Sequence, residues 1–193
     1  MSQLNKMPTV DLSRFSNPQF DRGASLFKET LWLLVSGLFF TTSIPWPSAI
    51  HIFWLRCFGA KIGCDVVVKP HVKITFPWKL SVGDHVWLGE ECWLLNLEQI
   101  IIGDHVCISQ RTFLCTGNHD YKSTTFDLIV KPINVEAGAW IGASSLVGPG
   151  VTVGSHAVLT AGSVATDNLQ AFGIYRGNPA VFIKERVIVS TVG

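Results

Sequence analysis

The sequence predicts an all-β solenoid of three-sided coils, with a short helical N-terminal segment before it and a C-terminal extension after it. Two observations carry that reading. Aliphatic residues recur every six positions through most of the chain, and a small or β-branched residue recurs four places after them. A period of six fits neither the 3.6 of a helix nor the 2.0 of a long strand. It fits short strands separated by tight corners, three of which close one coil of eighteen residues. Such a coil buries little by itself and is stabilised by its neighbours, stacked at about 4.8 Å.

The N-terminal segment spans residues 1–58. Residues 1–22 are polar, without the apolar stretch or small-residue cleavage site of a signal peptide. No Asp, Glu, Lys or Arg occurs from Thr30 to Leu55, and the most apolar part runs from Leu31 to Phe40. Thr41, Thr42 and Ser43 interrupt it, and Pro45 and Pro47 follow. A membrane span needs roughly 20 apolar residues, so a full crossing is disfavoured. The simplest reading is a helix from Ser25 to about Phe40 packed on the rest of the protein. The alternative is a helix lying at a membrane surface. Ala49 to Phe58 reads as a second short helix.

The solenoid is assigned to residues 59–168. Its inward aliphatic positions are Ile62, Val68, Ile74; Val82, Leu88, Leu94; Ile102, Ile108, Leu114; then Val135, Ile141, Val147, Val153 and Leu159, with Ala165 closing the series. The second register runs through Val66, Val72, Val86, Cys92, Val106, Thr112, Ala139, Ser145, Val151, Ala157 and Ser163. Glycine follows many aliphatic positions, as at Gly63, Gly83, Gly103 and Gly142, and the corners are expected to use its conformational freedom.

Coil-to-coil distances locate the interruptions. Ile62 to Val82 and Val82 to Ile102 are each 20 residues, Ile102 to Val135 is 33, and Val135 to Val153 is 18. The small excesses fall at Pro77-Trp78-Lys79 and at Asn96-Leu97-Glu98-Gln99. The large one predicts a loop thrown out at about 115–134. Loops on a rigid scaffold are where chemistry concentrates. Of the six histidines, His71, His85, His105 and His156 fall at the same corner place, and His51 lies in the N-terminal apolar stretch. His119, in Thr116-Gly117-Asn118-His119-Asp120-Tyr121, alone breaks register, at the base of the loop. That makes it the candidate catalytic base.

Composition narrows the function. Fifteen basic against fourteen acidic residues give a net charge of +1, which leaves no surplus for displacing counterions from a nucleic acid. Five cysteines without a C-x-x-C pair support neither a disulfide framework nor a structural zinc site, and they fit a reducing, cytoplasmic compartment.

With the repeat, the loop histidine and the ending Arg176-Gly177-Asn178-Pro179-Ala180 together, the chain resembles the left-handed β-helix, or hexapeptide-repeat, acyltransferases. The stretches Gly83-Asp84-His85-Val86-Trp87-Leu88-Gly89-Glu90 and Cys107-Ile108-Ser109-Gln110 resemble the WcaF branch in particular, and the similarity runs from about Leu12 to Arg186. The left hand comes from the resemblance alone, because parallel crossovers are otherwise right-handed in about 98% of cases.

The resemblance implies acetyl transfer from acetyl-CoA to a sugar hydroxyl in exopolysaccharide biosynthesis, with His119 as general base and no metal. It implies a substrate-binding role for Asn96 and Asp120, and coenzyme contacts at Trp140, Ala143, Ala161, Gly162, Thr166 and Lys184, with Arg186 assisting. Asp167 departs from the lysine frequent there in the family. A homotrimer is implied, with Trp87, Trp93 and Phe113 on an open prism face favouring burial. The acceptor is a saccharide or a lipid-linked saccharide, and the location is cytoplasmic, with the inner face of the membrane as an extension of that reading.

The competing readings are an inactive scaffold on the same fold and an acetyltransferase with a non-sugar acceptor. A γ-class carbonic anhydrase is disfavoured by the lack of a second loop histidine. A serine acetyltransferase is disfavoured by the lack of a long helical N-terminal domain. Residues 169–193 form the C-terminal extension.

Overall fold

The computed structural model describes residues 8–190; the first seven residues of the N-terminal segment and the last three of the C-terminal extension lie outside them. The chain winds into a parallel β-helix of about six coils, left-handed as in the family it resembles. Each predicted aliphatic position stacks on its equivalent one coil away. The first face holds Lys61–Ile62, Leu80–Val82, Ile100–Ile102, Ile133–Val135 and Thr152–Val153. The second holds Val67–Val68, Trp87–Leu88, Cys107–Ile108, Trp140–Ile141, Val158–Leu159 and Gly173–Arg176, with Val181–Glu185 antiparallel at its edge. The third holds Lys73–Ile74, Trp93–Leu95, Phe113–Cys115, Leu146–Val147 and Val164–Ala165. Parallel pairing continues past Ala165 through a bridge from Val153 to Leu169 and through Gly173–Arg176.

The core is the stack itself. Every inward aliphatic from Val68 to Ala165 is buried, and so is every member of the small register. Ile62, at the open end of the stack, is only partly covered. Each fully buried aliphatic contributes about 1.5–3 kcal/mol of transfer free energy.

The corners correct one expectation. At the regular corners the residue in the left-handed region lies three places after the aliphatic; it is glycine at Gly138, Gly150 and Gly162, but Asp65, His71, His85, Glu91, His105, Arg111, Ser144, His156 and Phe172 hold the same place with φ between 51° and 59°. The four corner histidines are thus turn residues. The glycine directly after the aliphatic serves close approach instead. A Cβ on Gly142 would lie 2.5 Å from the Ala161 amide nitrogen of the next coil. Packing between coils, and not dihedral freedom, selects glycine there.

All three interruptions leave the same corner, between the third and first faces. They are the 3-10 turn Pro77–Lys79, the stretch after Leu95, and the long excursion. The first two help seat the N-terminal segment. Trp78 Nε1 donates to the Arg22 carbonyl at 2.6 Å, and Lys79 Nζ to the carbonyls of Asp21 and Leu97 at 2.6 and 2.7 Å.

Helix α1 (Leu26–Phe39) starts where Ser25 Oγ accepts the Lys28 amide at 3.3 Å, an N-cap. It buries Trp32 and Val35, and the Trp32 indole donates to the Ile74 carbonyl at 2.9 Å, fixing the helix to the first coil. Helix α2 (Ser48–Cys57) begins after Pro47 and buries His51 and Leu55. Packing of α1 on the protein is thus realised on one side only. Leu26, Phe27, Leu33, Leu34 and Leu38 are each at least 62% exposed on the other.

Trp93 and Phe113 stack on the third face with ring centroids 4.7 Å apart. Trp87 belongs to the second face, in line with Cys107 and Trp140. The three aromatics expected on one open face are therefore divided between two.

Candidate active site

The excursion is a β-hairpin. Gly117–His119 pairs antiparallel with Leu128–Val130, His119 lying opposite Leu128. The turn is closed by Asp127, whose carboxylate accepts from Thr125 Oγ1 at 2.6 Å and Ser123 Oγ at 2.9 Å. Those two bonds hold its carboxyl below the usual carboxylate range.

His119 is half-buried and fixed on several sides. Its Nδ1 lies 2.8 Å from the Phe126 carbonyl oxygen. Its ring stacks on that of Phe126, centroids 4.5 Å apart and 12° from parallel, and the Phe15 ring stands 5.9 Å away. A carbonyl only accepts, so Nδ1 carries the proton and Nε2 keeps its lone pair. Phe126 adopts φ 55°, the left-handed region.

Residues 10–22 belong to the polar stretch before the first helix. They run from the hairpin to the first coil, with the Asp11 amide donating to the Thr124 carbonyl at 2.8 Å. A cleft of about 820 Å³ opens between residues 16–21 and the strand Leu128–Val130, with Lys79, Glu98 and Asp127 also lining it. Phe15 and Phe126 escaped sequence reading. The nearest signal for Phe126 is the short apolar, β-branched run Leu128-Ile129-Val130 just after it, which has the composition of a returning strand.

Asn96 requires a correction. It is completely buried, its Oδ1 accepts the amides of Thr75 and Phe76 at 3.1 and 2.9 Å, and its Nδ2 donates to the carbonyls of Phe76 and Lys79 at 2.6 and 3.2 Å. The whole amide is engaged in closing the turn of the coil below, so no atom is left for an acceptor. The Asp120 carboxylate makes no hydrogen bond to the His119 ring. Its Oδ1 accepts the Lys122 amide at 2.9 Å, and the Phe126 carbonyl takes the orienting role.

The other candidates are spread over the later coils. Ala143, Ala161 and Gly162 come together at the corner between the second and third faces, where the Gly162 amide donates to the Ala143 carbonyl at 2.8 Å. Earlier coils carry Glu90-Glu91 and Gln110-Arg111 at this corner, bridged by an Arg111–Glu91 pair at 2.7 Å. Later coils carry Ala143-Ser144 and Ala161-Gly162, so the corner becomes flush. Trp140 stands outward on the adjoining second face, its indole donating to Ser109 Oγ at 2.9 Å.

Thr166 lies across the third face at the opposite corner, bonded to Asp167 at 3.1 Å. Lys184 is exposed on the edge strand, opposite Ile174. Arg186 is committed to the carbonyls of Gly138 and His156, both at 3.0 Å. Within one chain, the third face therefore separates the His119 hairpin from the Ala143–Ala161 corner.

Among the described residues, metal-ligating types converge only at Cys64, Asp65 and His85, an exposed group at a corner of the first two coils.

These features define a β-helix with a hairpin-borne histidine. No family model matches the chain. It is 45% identical over 177 residues to "Putative colanic acid biosynthesis acetyltransferase WcaF" of Escherichia coli strain K12, covering 92% of this chain and 97% of that one. Among solved structures, it resembles a hexapeptide-repeat acetyltransferase from Vibrio cholerae, with TM-score 0.73, 28% identity, and 84% and 94% of the two chains covered. The same Vibrio protein complexed with acetyl-CoA aligns with TM-score 0.77 at 23% identity over 91% and 97% of the chains. A maltose O-acetyltransferase from Clostridium difficile shares the fold, with TM-score 0.75 at 23% identity over 84% and 88%. The chain belongs to the hexapeptide-repeat acetyltransferases, in the WcaF group.

Proposed function

We propose that this acetyltransferase moves the acetyl group of acetyl-CoA to a sugar hydroxyl in the building of an extracellular polysaccharide. The observation that carries the reading is the state of His119. Its Nδ1 proton is committed to the Phe126 carbonyl and its ring is held between Phe126 and Phe15. That leaves Nε2 as a positioned base on a hairpin whose other strand, Leu128–Val130, lines a cleft together with Asn17, Gln19, Glu98 and Asp127, side chains able to bond hydroxyl groups.

In this reading Nε2 takes the proton of the acceptor hydroxyl as its oxygen attacks the thioester carbonyl. The tetrahedral centre collapses, the C–S bond breaks, and the imidazolium returns the proton to the leaving thiolate. No covalent enzyme intermediate and no metal enters. The Phe126 carbonyl stabilises the imidazolium while it exists. Asp120, with one carboxylate oxygen capping its turn, offers the other to the acceptor.

The flush corner at Ala143, Ala161 and Gly162 lets the pantetheine arm lie close to the backbone, with Trp140 beside it and Thr166 and Lys184 toward the phosphates. Because the third face lies between this corner and His119 of the same chain, a complete site takes the hairpin of one chain and the corner of a neighbour, as in a homotrimer. The names of the relatives support the acetyl-CoA donor and a saccharide acceptor.

The test is incubation with labelled acetyl-CoA and a panel of saccharides and lipid-linked saccharides, followed by mass spectrometry. An alkali-labile acetyl ester on a saccharide is expected. Acetylation of an amine instead, or no transfer to any saccharide in the panel, would contradict the reading. A scaffold would neither transfer acetyl nor gain thermal stability from coenzyme A.

A further inference from the structure

We infer that the outward side of helix α1 is a membrane-contact surface that lies in the plane of a lipid headgroup–acyl boundary. At 100° per residue, the exposed residues Leu26, Phe27, Thr30, Leu31, Leu33, Leu34, Gly37 and Leu38 occupy one continuous arc of about 160°. The remaining arc faces the protein through Trp32, Val35 and Phe40. The exposed arc is apolar but for Thr30, whereas the polar side chains Lys28, Glu29 and Ser36 lie on the side toward the protein, the reverse of the usual surface helix. The protein covers one side only.

Three observations select lipid as what covers the other. First, the arc is too wide for a helical partner, because a helix pair shares a narrow seam of about two residues in seven. Second, the arc carries no unsatisfied polar group among its side chains. Its one hydroxyl, Thr30 Oγ1, donates to the Leu26 carbonyl at 2.9 Å.

The helix end is treated in the same way: Trp46 Nε1 donates to the Leu38 carbonyl at 3.3 Å, and His51 Nε2 to that of Phe39 at 2.8 Å. Side chains do there what water does at the end of an ordinary surface helix, as an apolar medium demands. Third, no Asp or Glu occurs from Thr30 to Cys64, whereas Arg56 and Lys61 do. That stretch suits an anionic headgroup layer. No described helix is long and apolar enough to cross a membrane, so the contact is peripheral.

The inference does not depend on the acetyl-transfer reading, and its test uses no substrate. The full chain is sedimented with phosphatidylglycerol-rich vesicles and with pure phosphatidylcholine vesicles. Vesicle-bound protein is expected, more on the anionic vesicles. Combining Leu31→Ser, Leu34→Ser and Leu38→Ser is expected to weaken partitioning by at least about tenfold. Assembly size and cooperative melting should stay unchanged, because all three side chains point away from the core. The single variant Leu34→Glu, in mid-arc, repeats the test with less perturbation, and Val187→Ser on the C-terminal extension should bind as the unaltered chain does. Absence of binding to either vesicle overturns the inference, as does unchanged binding of both α1 variants. A drop in assembly size in the variants, without vesicle binding by the unaltered chain, overturns it in favour of a second copy as the covering partner.

Discussion

The Nδ1 of His119 stands 2.8 Å from the carbonyl oxygen of Phe126, seven residues further along and on the far side of the hairpin turn. Phe126 holds this position with φ 55°, in the left-handed region that favours glycine. One residue supplies both the carbonyl that sets the imidazole tautomer and the ring on which the imidazole stacks. Strain at Phe126 and orientation of His119 are therefore one feature.

Phe126→Gly keeps the carbonyl and suits the backbone conformation, but removes the stacked ring. The turnover number should fall about tenfold through a less well-held base, with little change in KM for acetyl-CoA. Steady-state kinetics checks this. An unchanged turnover number would show that the carbonyl alone positions His119.

Asn96→Ala should act on stability and not on acceptor binding. It strips partners from the backbone groups of Phe76 and Lys79 in a fully buried place. A loss of about 2–4 kcal/mol is expected in denaturant unfolding, with the acceptor KM of the folded fraction unaltered. A raised KM at full stability would restore the substrate role read from the sequence.

Two glycines in equivalent places should respond differently to alanine. At Gly142 the new Cβ would meet the Ala161 nitrogen at 2.5 Å, whereas at Gly148 the nearest atom is 3.3 Å away. Gly142→Ala is expected to cost about 1–3 kcal/mol. Gly148→Ala should stay within about 1 kcal/mol of the parent. Thermal or denaturant unfolding compares them directly.

Burial of His51 pushes its imidazole below the ordinary value of about 6.5, and the bond to the Phe39 carbonyl only partly opposes this. The unfolded chain therefore binds that proton first as pH falls. The stabilising share of neutral His51 is present above about pH 6.5 and is lost progressively as pH drops toward the depressed folded value. His51→Gln retains a side-chain N–H donor but does not titrate. The melting temperature of the unaltered chain should fall more steeply between about pH 7 and about pH 5 than that of the variant.

The solenoid was legible because its signal is local and repeated. One wrong residue changes nothing when Leu88, Ile108, Ile141 and Leu159 all occupy the same stack. The helix limits were legible for the same kind of reason: Ser25 caps and the hydroxyl and proline residues after Phe40 stop. What escaped depends on contacts between distant segments. Asn96 looks like a turn asparagine whether its amide faces a ligand or the coil below. Phe15 reaches His119 from over a hundred residues away, and nothing near Phe15 announces it. Sequence cannot separate Gly138, Gly150 and Gly162, which supply dihedral freedom, from Gly83 and Gly142, which serve close approach, because glycine is one letter for both.

The central claim is that Nε2 of His119 takes the proton from the acceptor. The most direct measurement is coenzyme A release from acetyl-CoA, in the presence of the free saccharide that the panel identifies as acceptor, by His119→Ala against the unaltered enzyme. The account predicts a rate lower by about 10²–10⁴, with assembly size and coenzyme A binding retained. Turnover within a few-fold of the unaltered enzyme would contradict it.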